Sequence, residues 1–265
     1  SFPDPASYSW EQGAAKDTAY WDRVNKISSV IIVNGLFEQL HAMTGMEDAL
    51  CYLISEEEEV FSLLEAIANY RIQEIQYIAR YYHPDKIQFH DDYGSNDRML
   101  MSVSTWRKLI KPHLSKIVKA VYDCGMLYEH HSCGYIAPLI EDFIEIGFDA
   151  LNPLQLTNHP YELKKKYYKQ LCFVGGFDNQ GKLDKTNASY QERAEEIRFR
   201  ITQMAPGGSW IAHPTMIDPS ISEPLIDVLY EYNMPLWKKA GYNPPPKPSA
   251  LKKTVYAAAD SKEEV

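Results

Sequence analysis

The chain is poor in cysteine, with four in 265 residues, at 51, 124, 133 and 172 and without close framework spacing. That pattern argues against a disulfide-stapled scaffold and for a reducing compartment. No apolar run approaches the roughly eighteen residues of a membrane span, and no basic-then-apolar segment opens the sequence, so the cytoplasm is the default location. Positive charge is also short. Lys and Arg number 27 against 36 Asp and Glu, a net charge of −9 with a pI near 5.4. That balance repels phosphate backbones and anionic headgroups, which excludes nucleic acid and membrane surfaces as expected partners and weighs against a polyanionic substrate. Solenoid-type repeats are absent. What remains is ordinary for a soluble fold, 45% apolar and 24% charged, enough for a substantial core in one large domain or two small ones.

Short strand-like runs alternate with longer amphipathic stretches. The strand candidates span 29–34, 86–91, 127–132, 150–154, 171–176 and 210–214, and helical patterns cover 56–82, 104–124, 136–146 and 189–204. That alternation predicts βαβ crossovers and a parallel sheet. Asn34-Gly35, Tyr93-Gly94-Ser95 and Cys133-Gly134 place turns just after strands, and Ser102 with Thr105 offers a helix start. A domain over 1–241 is expected, followed by a Pro/Lys/Ala-rich tail over 242–265. Six βα units are countable, whereas a closed barrel of this kind needs about eight strands, so either the sheet is open or two strands lie outside this chain.

Side-chain parity sorts each strand into two faces. Ile87 and Phe89 suit packing against helices, while Gln88, His90 and Asp92 share the other face. On the next strand Glu129, His131 and Cys133 alternate together, and Ile211, His213 and Thr215 do so on the last candidate. Asp92, His131, Cys133, Asn152, Asp178, and His213 or Thr215 therefore gather at strand C-termini, where βα folds build ligand sites.

His131-x-Cys133 puts an imidazole and a thiol about 7 Å apart along one strand face, close enough to grip one ion. Zinc takes such nitrogen and sulfur ligands and, in catalytic sites, keeps a position open. His213 is the third ligand expected by type and position. Cys172 starts its strand and falls at the wrong end, while Cys51 and Cys124 belong to helices. The bland alternative is a buried, hydrogen-bonded histidine beside a small apolar thiol. His130 has the opposite parity and reads as structural, as do His41, His83, His113 and His159.

The run from His131-Ser132-Cys133-Gly134 through Pro138-Leu139-Ile140 to Asn152-Pro153-Leu154-Gln155 resembles the uroporphyrinogen decarboxylase superfamily, and within it the corrinoid-dependent methyltransferase branch. Phe89 to Ser95, Ser102 to Pro112, Gly175 to Gln180, Pro206-Gly207-Gly208 and Ile217-Asp218-Pro219 match in the expected order. The resemblance implies a (β/α)8 TIM barrel, here N-terminally incomplete because Phe2-Pro3-Asp4-Pro5 would follow a segment carrying the first strands; it also makes a homodimer plausible. In the methyltransferase branch a His-x-Cys and a Cys on the last strand hold zinc. The first two match His131 and Cys133; Thr215 takes the third place, with His213, Glu129 or Asp92 to fill the gap.

The resemblance further implies methyl transfer between a small methylated donor, such as a methoxylated aromatic, and a corrinoid cofactor on a partner protein. Asp92, Glu129 and Asp178 are then the expected acid or orienting groups. Tyr93, Tyr135, Asn152, Phe177 and Trp210 are the expected substrate contacts. Two rivals stand beside it. Metal-free porphyrinogen decarboxylation would call for arginines at strand ends to pair carboxylates, yet only Arg98 lies in a mouth loop. A non-catalytic, metal-free binding paralogue would account for the absent third cysteine.

Overall fold

In the computed structural model, residues 2–179, 181, 183–185, 187–213 and 222–248 are described. Gln180, Thr215, the 217–219 motif and tail residues 249–265 lie outside the described residues. The chain divides into two compact units. The first comprises residues 1–175 and 207–211, the second 176–206 and 212–265.

All six described strands belong to the first unit: β1 (Ser29–Ile32), β2 (Lys86–His90), β3 (Leu127–His131), β4 (Ala150–Leu154), β5 (Cys172–Gly175) and β6 (Trp210–Ile211). They pair in chain order, every neighbour parallel, as the alternating sequence pattern predicts. Among the described residues the sheet ends at β1 and β6.

The helices of this unit are α1 (Trp10–Asp17), α2 (Phe37–Thr44), α3 (Met46–Ser55), α4 (Glu57–Tyr82), α5 (Val103–Leu109), α6 (Lys111–Asp123), α7 (Ile140–Ile146) and α8 (Pro160–Tyr167). Glu57, Glu58 and Glu59 fill the first turn of α4, where carboxylates offset the helix dipole. Ser102 caps α5 by accepting from the Thr105 N–H at 3.0 Å, the expected start. The stretch 104–124 is not one helix. It breaks at Ile110, because Pro112 has no N–H to donate and opens a fresh helix in its first turn.

The two faces of the sheet differ sharply. Ile87, Phe89, Tyr128, Leu151 and Phe173 are fully buried on one, whereas Ile31 on the other is 55% exposed and is followed along its row by Gln88 and Glu129. Parity alone set that division, since successive strand residues point to opposite sides. His130 lies on the apolar side as expected, stacked with Tyr93 at 5.4 Å and Phe148 at 4.9 Å, with Nδ1 2.9 Å from the Tyr128 hydroxyl.

In the second unit α9 (Tyr190–Met204) packs against α10 (Ser222–Lys239). Ser189 and Glu192 close a reciprocal capping box at the start of α9. The proline segment after α10 is tied to it by the Tyr230 hydroxyl, which donates to the Pro245 carbonyl at 3.0 Å, and by the Lys247–Asp227 ion pair.

Burial drives the His130 imidazole down from 6.5 to about 3. Between those values the unfolded chain binds a proton that the folded chain refuses, so stability is full above pH 6.5 and is lost as pH falls. Chemical denaturation followed from pH 7 to pH 4 should show this loss, at up to about 1.4 kcal/mol per pH unit from this one residue. His130→Phe should flatten the slope while costing about 1 kcal/mol at neutral pH for the lost Tyr128 acceptor.

Candidate metal centre

The site begins with strand register. His90 of β2 lies opposite His131 of β3, which lies opposite Asn152 of β4. Beyond the strand ends the pairing continues, as the Asp91 N–H donates to the His131 carbonyl at 3.0 Å and the Ser132 N–H to the Asn152 carbonyl at 2.8 Å. The next residues therefore face one another. The Cys133 N–H donates to Asp92 Oδ1 at 2.6 Å, fixing the carboxylate against the thiol-bearing loop.

Adjacent aspartates then do opposite jobs. Asp91 is fully buried and accepts from the N–H groups of Leu36 at 3.0 Å, Phe37 at 3.2 Å and Glu38 at 2.8 Å, and from the Tyr93 hydroxyl at 2.7 Å. It holds the N-terminus of α2 over the end of β2, satisfying donors that a helix start leaves open. Burial raises its carboxyl to about 7, while the Glu38 N–H and the Tyr93 hydroxyl pull the other way. Asp92 points to the other side and joins His131 and Cys133.

The loop carrying Cys133 is held from several sides. Asn158 accepts from the N–H groups of Ile136 at 2.7 Å and Ala137 at 2.9 Å and donates to the Gly134 carbonyl at 2.8 Å. Gly134, at φ +79°, passes so close to Gly94 that a Cβ there would overlap the Gly94 backbone. The glycine in Cys133-Gly134 is required by both its backbone angle and this crossing of loops.

The resulting cluster is compact. One ligand atom each from Asp92, His131 and Cys133 lies within 4.8 Å of the others, the set of described residues that could hold a metal ion. His131 Nε2 stands 3.5 Å from Cys133 Sγ and 3.9 Å from Asp92 Oδ1. Ligand atoms on a tetrahedral zinc stand roughly 3.3–3.8 Å apart, from its usual bond lengths. The donor set fits as well, since imidazole, thiolate and carboxylate together suit a borderline divalent ion. His131 Nδ1 is 3.0 Å from Asn152 Oδ1, which assigns the proton to Nδ1 and leaves the Nε2 lone pair facing Cys133. Burial pushes the Cys133 thiol up to about 12, with Asp92 and Glu38 adding negative charge nearby. A cation at this point reverses that balance, because its charge favours the thiolate and answers the carboxylates.

The other expected site residues fall differently. Glu129 is 3% exposed and lies two residues back along β3, bound to Lys86 Nζ and Gln88 Nε2. Tyr93, expected to touch substrate, is fully buried with its hydroxyl on Asp91, because its parity turns it toward the apolar side. Asn152 is 4% exposed and engaged with His131. Tyr135 is half-buried in the Cys133 loop, its N–H on the Ser95 carbonyl at 2.7 Å. Trp210 is half-buried and donates from Nε1 to the Gly175 carbonyl at 2.8 Å. Phe177, Asp178 and His213 belong to the second unit, Phe177 buried and His213 exposed.

Two residues escaped the sequence reading. Glu38, in the first turn of α2, is half-buried and accepts from the Asn34 N–H at 3.0 Å. Burial raises its carboxyl, with the Asp92 charge second. The Asn34-Gly35 turn was its one signal. His90 stacks on His131 with ring centroids 4.0 Å apart and planes within 8°. Its parity with Asp92 was visible, its stacking was not. Arg98, the mouth-loop arginine, is exposed and paired with Asp97.

No curated protein sequence matches the chain. Among solved structures it is similar to a methyltransferase from Methanosarcina mazei, with TM-score 0.64 and 15% identity over 84% of this chain. The match spans 64% of that protein, so this chain covers less than two thirds of its length. The shared fold is a TIM-barrel-like α/β architecture, with the parallel strands described above. The family model of uroporphyrinogen decarboxylase (URO-D) matches residues 33–214, a span that runs from the end of β1 past β6 and holds Asp92, His131 and Cys133. The chain belongs to the uroporphyrinogen decarboxylase family.

Proposed function

We propose that the chain carries a zinc-dependent methyltransferase site, with Asp92, His131 and Cys133 as the zinc ligands and methyl transfer between a small methylated donor and a corrinoid on a partner protein as its reaction. The convergence of three chemically different ligand atoms within 4.8 Å carries this reading. The fold shared with a methyltransferase of a methanogen supports it. Asp92 takes the place left by the missing cysteine of the last strand, and His213 is not needed to complete a three-ligand set.

A methyl ether, amine or alcohol reacts poorly because its leaving group departs as a strong base. Bound zinc supplies Lewis acidity that lowers this basicity. The chain's own residues do the rest. Asn152 keeps the His131 proton on Nδ1, so Nε2 keeps its lone pair for a metal ion. The Cys133 N–H holds Asp92 Oδ1, the oxygen that faces His131 Nε2, in place as the ligand atom, which leaves Oδ2 to orient the donor's heteroatom. Tyr135, half-buried and two residues after Cys133 in the same loop, is the aromatic against which a methoxylated ring would lie. Porphyrinogen decarboxylation, the chemistry in the family's name, finds less support. It calls for free arginines, whereas Arg98 is paired with Asp97 and Arg71 is bound to the Val33 and Asn34 carbonyls and to Glu74.

Purified protein should bind about one Zn2+ per chain, and metal analysis of His131→Ala and Cys133→Ala should find it lost, with Asp92→Asn weakening it at least about tenfold. Because the thiol is protonated without metal, calorimetry in buffers of different ionisation enthalpy should report about one proton released per ion bound. Methyl transfer to cob(I)alamin, screened over methoxyaromatics, methylamines and methylthiols, should appear with one class and vanish in Cys133→Ala. Full transfer by metal-free protein would refute the mechanism, and porphyrinogen turnover without any methyl transfer would replace it with decarboxylation.

A further inference from the structure

Glu129 has no place in the mechanism just described, yet it is a nearly buried carboxylate with both oxygens engaged. One accepts from Lys86 Nζ and the other from Gln88 Nε2. An ionised carboxylate only accepts, so Gln88 must turn its NH2 group to Glu129 and its carbonyl oxygen the other way. That oxygen, Gln88 Oε1, lies 3.1 Å from His90 Nε2. An amide oxygen also only accepts, so Nε2 of His90 carries the proton and Nδ1 bears the lone pair. His131 is fixed in the opposite sense, with its proton on Nδ1 toward Asn152 Oδ1. The two imidazoles lie face to face, 4.0 Å between centroids and 8° between planes.

We propose that Lys86, Glu129, Gln88 and His90 form a positioning relay for His131, in which a buried ion pair fixes the amide of Gln88, the amide fixes the tautomer and ring plane of His90, and the stacked ring holds His131 aimed at Cys133. The physical need is plain. A single hydrogen bond at Nδ1 leaves the His131 ring free to rock about that bond, and a ligand nitrogen that rocks loses its fixed distance to the thiol. A parallel ring against its face removes that freedom. Each donor in the relay has one acceptor it can use, so the chain of hydrogen bonds reads in only one direction. His90 and Glu129 are positioning residues here, since they act through His131. The relay deepens the metal-centre reading and rests on it for its purpose, though its geometry can be read without any metal.

The test uses the whole chain with 15N-labelled histidine. Long-range 1H–15N spectra of metal-free protein should show His90 protonated at Nε2 and His131 protonated at Nδ1. Gln88→Leu should release His90 into both tautomers, shift the His131 ring nitrogens, and lower Co2+ affinity about tenfold, the size typical of losing an outer partner of a metal ligand. His90→Ala should weaken Co2+ comparably, and His90→Phe, which restores a ring but not the bond to Gln88, should recover only part of the loss. The relay is overturned by a wild-type spectrum with His90 protonated at Nδ1, a result that needs no variant to fold. It is equally overturned if folded Gln88→Leu and His90→Ala leave the His131 shifts and Co2+ affinity unchanged. Wild-type protein with His90 protonated at Nε2 and His131 at Nδ1, whose His131 shifts move in Gln88→Leu but which binds no Co2+, upholds the relay and removes the metal-centre reading instead.

Discussion

The register between β2 and β3 is the constraint on which the site depends. His90 opposite His131 is a main-chain fact, and the Asp91 N–H on the His131 carbonyl carries it one residue past the strands. Asp92 and Cys133 meet because that pairing delivers them to the same height on the same side. A slip of one residue on either strand would turn that strand's ligand toward the apolar face and bring Tyr93 or Ser132 into its place. Register is well specified here because the other parity is Phe89, Tyr128 and His130, all fully buried, and cannot be turned out without losing the core.

Two consecutive aspartates show how finely that alternation is used. Asp91 points to the helices and closes the N-terminus of α2, whereas Asp92 points away and faces His131. One carboxylate makes the scaffold and the other serves the site. The loops add their own fixings through Asn158 and through the Gly94–Gly134 crossing. The Cys133 side chain is thus held by main-chain bonds on both flanks, an arrangement that leaves little room for the ligand atoms to drift.

Much of this was legible in the amino-acid order. Parity separated His131 and Cys133 from His130, and the turn after Asp92 marked a loop at the right end of a strand. Parity also grouped Asp92 with His90 and Glu129 with His131. It could not tell how deep along a strand a group would lie, so Glu129 read as a candidate acid although Lys86 and Gln88 enclose it. Tyr93 sat beside polar neighbours in sequence and read as a substrate contact; only the fold reveals that it turns inward to Asp91. Glu38 was invisible for another reason. It reaches the cluster from a short helix whose place is set by a long-range bond to Asp91, and no local pattern encodes that contact. The break at Ile110 was readable from Pro112, and strong apolar periodicity on both sides masked it.

The central claim is that one imidazole, one thiolate and one carboxylate from adjoining strand ends bind the same ion. X-ray absorption at the zinc edge, on protein loaded with one equivalent of zinc, measures that donor set directly. The account predicts a single sulfur scatterer at about 2.3 Å with nitrogen and oxygen scatterers at about 2.0–2.2 Å, including the outer-shell pattern of one imidazole. A first shell without sulfur, or with two sulfurs, would contradict it.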